Sequence, residues 1–432
     1  DEVYGWIEPA VAAQLVVELD ATGDRLSFVH AIVQHSLYRG MTAGRRARLH
    51  RRAAEVLEHS AGADQRRCVE EVAHHLFAGL RRAELDRAVP AAERAAECAL
   101  ASSAPDQAAR WFRRALDVVE AGEPPDEARR GRLLVRLGEA ERDAGSPGYR
   151  EHLLEAAAIA RGLDDHELLV DAAIANHRGI AASSVSAVDH ERVAVLESAL
   201  DVVGPEDRLQ RALILGGLAG ELIFSGQQRR FDLAEEAVEV ARRTGDPQTL
   251  VLALHRAAAV ADVSRWYGQR HRWVQEAMGL TSGQGEPMGR FLTLTGAIRD
   301  EMTLGHVDAA ERAAAEAQSI ATEIGRPMML WHIRYLRSTL TLVRGDLAGA
   351  EELAEAALRV AVESGQPDAL LTFGAQLMQV RWHQGRTVEL IELLVDSVKE
   401  HPDMSVLTTA LAYVQSTEGD REAGRALLGS PG

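Results

Sequence analysis

Between Pro327 and Val343 the apolar side chains return at helical intervals. Met329, Ile333, Leu336, Leu340 and Val343 are spaced four, three, four and three residues apart, one buried stripe of a helix. Trp331, Tyr335 and Leu342 form a second apolar stripe, so this helix is expected to pack within its own repeat and against a neighbour. The remaining edge carries Arg334, Arg337, Thr341 and Arg344. The punctuation around the helix also recurs. Gly245-Asp246-Pro247, Gly285-Glu286-Pro287, Gly325-Arg326-Pro327 and Gly365-Gln366-Pro367 follow one another at intervals of 40 residues, with a looser Gly204-Pro205 placed 41 residues earlier. Glycine just past a helix end supplies a left-handed cap, and proline two residues on suits the first turn of the next helix. A second glycine, at Gly226, Gly268, Gly305, Gly345 and Gly385, marks a turn inside each period. Each period therefore reads helix, turn, helix, turn, which predicts an all-α, tetratricopeptide-like α-solenoid.

The regular array is expected over about 205–400, within a superhelical domain spanning 123–432. Residues 126–203 are helical but off the beat, and a last pair covers 402–428. Residues 61–122 read as the first helical pairs, with an alanine-rich seam at Ala95, Ala96, Ala99, Ala108, Ala109 and Ala115. Gly122-Glu123-Pro124-Pro125 is the clearest break. Residues 1–20 read as mainly helical. Val16–Asp20 and Arg25–Val29 alternate around a Gly-Asp turn, a hairpin signal and the one strand signal in the chain. Helix, hairpin, helix over 1–60 predicts a small winged-helix remnant.

Charge and composition remove several functions. The chain carries 48 basic and 65 acidic residues, net −17, the wrong sign for nonspecific binding to a nucleic-acid backbone. No apolar run is long enough for a membrane span, and no secretory signal opens the chain, which predicts a cytoplasmic protein. The start lacks Met and the end lacks a polar cap, so the chain reads as a piece of a longer protein. Lys399 is the one lysine, and no glycine loop precedes it, which excludes a P-loop and a Schiff-base lysine. Cys68 and Cys98 are expected as two buried thiols without a disulfide. No cofactor is expected in this chain, nor a metal: among 16 histidines there is no His-Glu-x-x-His, His74 and His75 are neighbours expected to point apart, and His30 and His35 are five apart. No catalytic constellation is found, and the chain is expected not to be an enzyme.

Two places are candidates for binding a ligand or partner. Trp331, Arg334, Tyr335 and Arg337 would line the inner groove of the superhelix; the alternative is a solvated polar face, with Trp331 in the core. Trp266, Tyr267, His271 and Trp273 form the densest aromatic cluster, where the glycine spacing becomes 42 and then 37 residues. Irregular insertions on solenoids mark binding faces, and the alternative is an apolar plug in a loose turn. A small-molecule inducer or a protein or peptide in the groove would be the partner.

Phe28-Val29-His30-Ala31-Ile32-Val33, Leu37-Tyr38, the Arg-rich run Arg45–Ala54, Glu71–Leu76 and Ala108–Leu116 resemble the stretch that follows the ATPase module in large bacterial signal-transduction ATPases, the MalT-like LuxR-family regulators and related nucleotidyl cyclases. Ser364–Leu370 continues the match, which covers essentially the whole chain. It departs at Val29, Gln34 and His35. The resemblance implies the winged-helix end of an ATPase module at 1–60 followed by a sensor arm. ATP or ADP would bind in the parent protein, not here. His30 would then sense the nucleotide state, against the alternative of a helix-start histidine bonded to backbone. The implied function is the sensing module of an ATP-dependent transcriptional regulator; the alternatives are the regulatory arm of a nucleotidyl cyclase and a pure protein-binding scaffold.

Overall fold

A computed structural model describes all residues except 1, 20–25, 61–64, 80–84, 125, 178–187, 207, 224, 226–227, 262–263, 284–285, 365, 367–368, 401, 403–404 and 430–432, and the side chains of 2–4, 60, 65–68, 85, 264 and 405. Where the 40-residue beat can be followed, it is built as the sequence implies. Gly245 and Gly325 take φ of 74° and 71°, the left-handed caps that end their helices. Pro247, Pro287 and Pro327 each open the next helix. The residue before each proline is the helix cap. Asp246 accepts from the Thr249 amide at 2.7 Å, and Glu286 accepts from the amides of Met288 and Gly289. Gly305, Gly345 and Gly385 make the inner turns with φ of 79°, 87° and 67°. Gly226, Gly285, Gly365 and Pro367 lie outside the described residues, as does the expected hairpin turn at 21–24.

The first residues hold α1 (Glu2–Ala12), an antiparallel hairpin of β1 (Val16–Glu18) and β2 (Leu26–Phe28), then α2 (Ala31–Gly40) and α3 (Ala43–Ser60). The hairpin register pairs Val16 with Phe28 and Glu18 with Leu26. The opening helix stops at Ala12, before Gln14 at φ 54°, short of the helical reading for 1–20. Next come α4 (Gln65–Ala78), α5 (Leu85–Ala101) and α6 (Pro105–Glu120). Eight hairpins follow: α7 and α8 (Glu127–Ala144, Tyr149–Leu163), α9 and α10 (His166–Ala175, His190–Val203), α11 and α12 (Leu209–Glu221, Arg229–Thr244), α13 and α14 (Pro247–Val260, Tyr267–Leu280), α15 and α16 (Pro287–Thr303, Val307–Ile324), α17 and α18 (Pro327–Val343, Leu347–Glu363), α19 and α20 (Ala369–Gln384, Ile391–Glu400), and α21 and α22 (Ser405–Thr417, Arg421–Gly429). From α3 to α19 each helix packs on the next, α19 and α20 join through a 3-10 turn at Thr387–Leu390, and α20 to α22 again pack in series, which is the solenoid expected.

Alanine sets the spacing between helices. Ala310, Ala314, Ala317 and Ala321 of α16 are buried, and 40 residues on Ala350, Ala354, Ala357 and Ala361 of α18 repeat them. With so little side chain in the seam, the backbones approach closely, and larger residues from the partner helix fill the rest. Met329, Ile333, Leu336 and Leu340 of α17 do this; each contributes roughly 1.5–3 kcal/mol by its burial. Val343, assigned to the same stripe from sequence, is half exposed because the helix ends there. The core elongates with the array. One cluster runs from Ala54 to Ala277 without interruption at Gly122, and a second runs from Phe291 to Leu340. Cys98 is half-buried, while the side chain of Cys68 lies outside the described set.

The superhelix curves enough for distant turns to meet. An added Cβ at Gly145, the left-handed cap of α7, would stand 2.0 Å from the Ser364 carbonyl oxygen after α18. Beside it, Arg326 pairs with Asp143 at 3.7 Å. No helix among the described residues is long and apolar enough to cross a membrane.

Candidate functional site

The first helices of successive hairpins, from α7 through α19, touch one another in series and form the inner layer of the curve. Cationic groups collect there. Arg256 of α13 donates to the Leu213 carbonyl of α11 at 3.1 Å, and it crosses Gly216, where a Cβ would be 3.3 Å from the Arg256 Cδ. Burial, then the charge of Arg142, lowers the Arg256 guanidinium pKa to about 10. Arg142 itself donates to the Ala175 carbonyl at 2.6 Å and pairs with Asp143. The charge of Arg142, on α7, thus acts on Arg256, on α13. His332 of α17 is buried beside Phe291 and Tyr335. Burial first, then Arg299 and His255, holds its pKa well below that of ordinary histidine, so it is neutral at physiological pH.

The aromatic cluster divides. Trp266 stacks on Phe231 with ring centres 4.7 Å apart and planes 3° from parallel, and Arg265 and Arg230 lie over the same Phe231 ring. The stack covers one face of the half-buried Trp266 ring. Trp273 is fully buried in the core. Gly268 does not make the turn expected of it. A 3-10 turn over Ser264–Trp266 precedes α14, and Gly268 sits inside that helix, so the irregular 42 and 37 spacing reflects a misplaced glycine rather than an inserted loop.

Tyr267 and His271 are half-buried beside a polar knot in which Arg270 and Asp300 are buried. His271 Nδ1 meets Asp300 Oδ2 at 2.5 Å, Arg270 Nε lies 3.8 Å from Asp300 Oδ1, and the Tyr267 ring stacks near that of His271 at 6.3 Å. The Tyr267 hydroxyl and Asp300 Oδ1 are buried without a hydrogen-bond partner among the described residues. Burial, then the Asp300 charge, raises the Tyr267 pKa. Neither Arg270 nor Asp300 was picked out from sequence, yet the register marks both. Asp300 stands where the neighbouring repeats place Val260, Leu340 and Val380, and Arg270 stands where they place Ala310 and Ala350; all of these are buried.

Trp331 is in the core with Ala357, Ala361 and Ala369, and Tyr335 is half-buried against the α15–α17 core. The backbone carbonyl of Tyr335 accepts from Gln376 Nε2 at 2.9 Å. Arg334 is half-buried and Arg337 exposed. Arg344 pairs with Asp308 and Glu311 of α16. His30 is the exposed cap residue of α2, and its side chain makes no capping bond. His74 and His75 do not point apart. Their ring centres are 5.3 Å from each other and 5.9 and 5.0 Å from that of His50 on α3.

No family model and no curated protein matches the chain. Among solved structures it is similar to a signal-transduction ATPase with numerous domains that has a tetratricopeptide repeat sensor, from Pyrococcus horikoshii, at 12% identity and TM-score 0.45 over 99% of this chain and 68% of that one. It is also similar to aspartyl phosphate phosphatase F from Bacillus subtilis (12% identity, TM-score 0.41, 81% and 93% covered) and to yeast Tom70 (12%, 0.36, 87% and 91%). With TM-scores this low, the fold rests on the helix pairing described above.

Proposed function

We propose that this chain is the sensing arm of a signal-transduction ATPase, and that it holds an acidic peptide or protein segment against the inner face of its superhelix. One observation carries the reading: the guanidinium groups of Arg142, Arg256 and Arg299 belong to the inner layer of a chain whose net charge is −17. A cationic hollow in an acidic molecule selects anionic partners by focusing its field and repelling them elsewhere. A ligand there acts as a signal only if it binds one state of the parent protein more tightly than the other. The parent's output is read as LuxR-type transcriptional control, on the resemblance of Phe28–Val33 and Arg45–Ala54. The segment 1–60 is read as the winged-helix end of the ATPase module, and a small anionic inducer in the same hollow is the finer alternative. Trp6, Ile32 and Leu37 of that segment are more than half exposed, and α2 buries none of its residues, as expected of a surface that another module covers.

The test is fluorescence anisotropy of short Glu/Asp-rich peptides against Lys/Arg-rich peptides of equal length. The acidic set is expected to bind, more weakly as salt rises, with the R142Q/R256Q double variant losing about tenfold in affinity, or about 1.4 kcal/mol. Equal binding of both sets, or none of the acidic set, overturns the reading.

A further inference from the structure

We infer that His50, His74 and His75 form a binding site for a divalent transition-metal ion of the Zn²⁺ type, at the joint where α3 meets α4. One ring nitrogen from each histidine lies within 4.8 Å of the other two. In a tetrahedral zinc site with Zn–N of about 2.0–2.1 Å, ligand nitrogens stand about 3.3 Å apart, so small side-chain rotations bring the three atoms to that spacing. His50 Nδ1 and His75 Nδ1 stand 2.7 Å apart, at hydrogen-bond distance. His50 is the pivot. It comes from the middle of α3, while His74 and His75 come from near the end of α4, and Gly79 lets that end approach α3: a Cβ there would be 2.9 Å from the Ala47 carbonyl.

The surroundings orient the ligands as metal sites require. The Tyr38 hydroxyl is 2.9 Å from His50 Nε2, which engages the outer nitrogen and leaves Nδ1 facing His75. Arg46 fixes Tyr38 in turn: its guanidinium donates to the Tyr38 and Met41 carbonyls and lies 5.3 Å over the Tyr38 ring. Glu71, one helical turn before His75, sets a negative charge against the positive charge that Arg46 places near His50. His50 and His75 are half-buried and His74 is exposed, which leaves a path for the ion and an open fourth position for water. Three imidazoles suit zinc, and nickel and copper by the general affinity order. A bound ion would join α2, through Tyr38, to α3 and α4.

The full chain, stripped with a chelator, is titrated with Zn²⁺ by calorimetry, and Co²⁺ is substituted to read tetrahedral coordination from its visible absorption. One ion per chain is expected, with affinity lost in His50→Ala and His74→Ala and lowered about tenfold in Tyr38→Phe, the effect of removing an outer-shell partner. His74 is exposed, so its variant is expected to keep the wild-type circular dichroism and to separate lost binding from lost folding. Absence of stoichiometric binding, or unchanged affinity in both alanine variants because other histidines among the 16 hold the ion, overturns the inference.

Discussion

Replacing Asp300 with valine restores the residue type that adjacent repeats carry at this register, yet it is expected to destabilise the protein. Asp300 is about 1% exposed and faces Arg270 and His271. Removing the carboxylate deletes one member of a buried pair with Arg270, a change that costs about 3–5 kcal/mol in buried ion pairs. Replacing Arg270 with alanine alone leaves the buried carboxylate answered by His271, with a similar direction and a smaller size. The double variant R270A/D300V reproduces the Ala310–Leu340 and Ala350–Val380 pattern, an apolar seam of the kind the array already tolerates. It is expected to recover most of the loss, since apolar replacement of a whole buried pair is often neutral or stabilising by about 1–4 kcal/mol. Urea unfolding of the four proteins, followed by circular dichroism, gives the coupling free energy, expected at roughly 2 kcal/mol or more. Additive losses, with the double variant the least stable, would refute the idea that the two charges are coupled in the array.

Three further outcomes follow from the same packing. His332 is held neutral by burial, so the unfolded chain takes up a proton below about pH 6.5 that the folded one resists; stability should fall on acidification, by at most about 1.4 kcal/mol per pH unit for this group, and H332F should flatten that limb in pH-dependent melting curves. His152 runs the other way: its hydrogen bond to Glu141 raises its pKa, so the stability it adds is full below about pH 6.5 and lost as pH rises through the folded value, a limb that H152Q should remove. Gly145→Ala places a methyl in a left-handed backbone against the Ser364 carbonyl, and should cost about 1–3 kcal/mol and enlarge the radius of gyration in X-ray scattering; an unchanged radius would show that the two turns do not touch in solution.

The helical array was legible because capping chemistry is local. Asp246, Pro247 and Gly325 act on backbone groups within one turn, and a fixed interval exposes them. Gly268 misled because glycine at an expected interval is only permissive; the backbone turned earlier, at Ser264–Trp266, and the helix absorbed the glycine. Trp266 and Trp273 carried an apolar signal that packing satisfied internally, as large rings usually do. The groupings that matter for binding were hidden for another reason. Arg142 of α7 and Arg256 of α13 join one inner layer, and His50 meets His74 and His75, through the placement of helices that sequence spacing does not encode. Asp300 was readable in principle, by aligning the repeats on their 40-residue interval and asking which buried column changes polarity.

The meeting of Gly145 with Ser364 alters how this molecule should fail under load. An open row of hairpins frays from its ends, and each unit answers only to its two neighbours. Once a turn near residue 145 rests on one near residue 364, the units between them become a loop with a clasp, and none can loosen far without the clasp giving way. Strain introduced in the hollow would then be felt together by α7 and α18, so an event at a single repeat is registered by the whole coil.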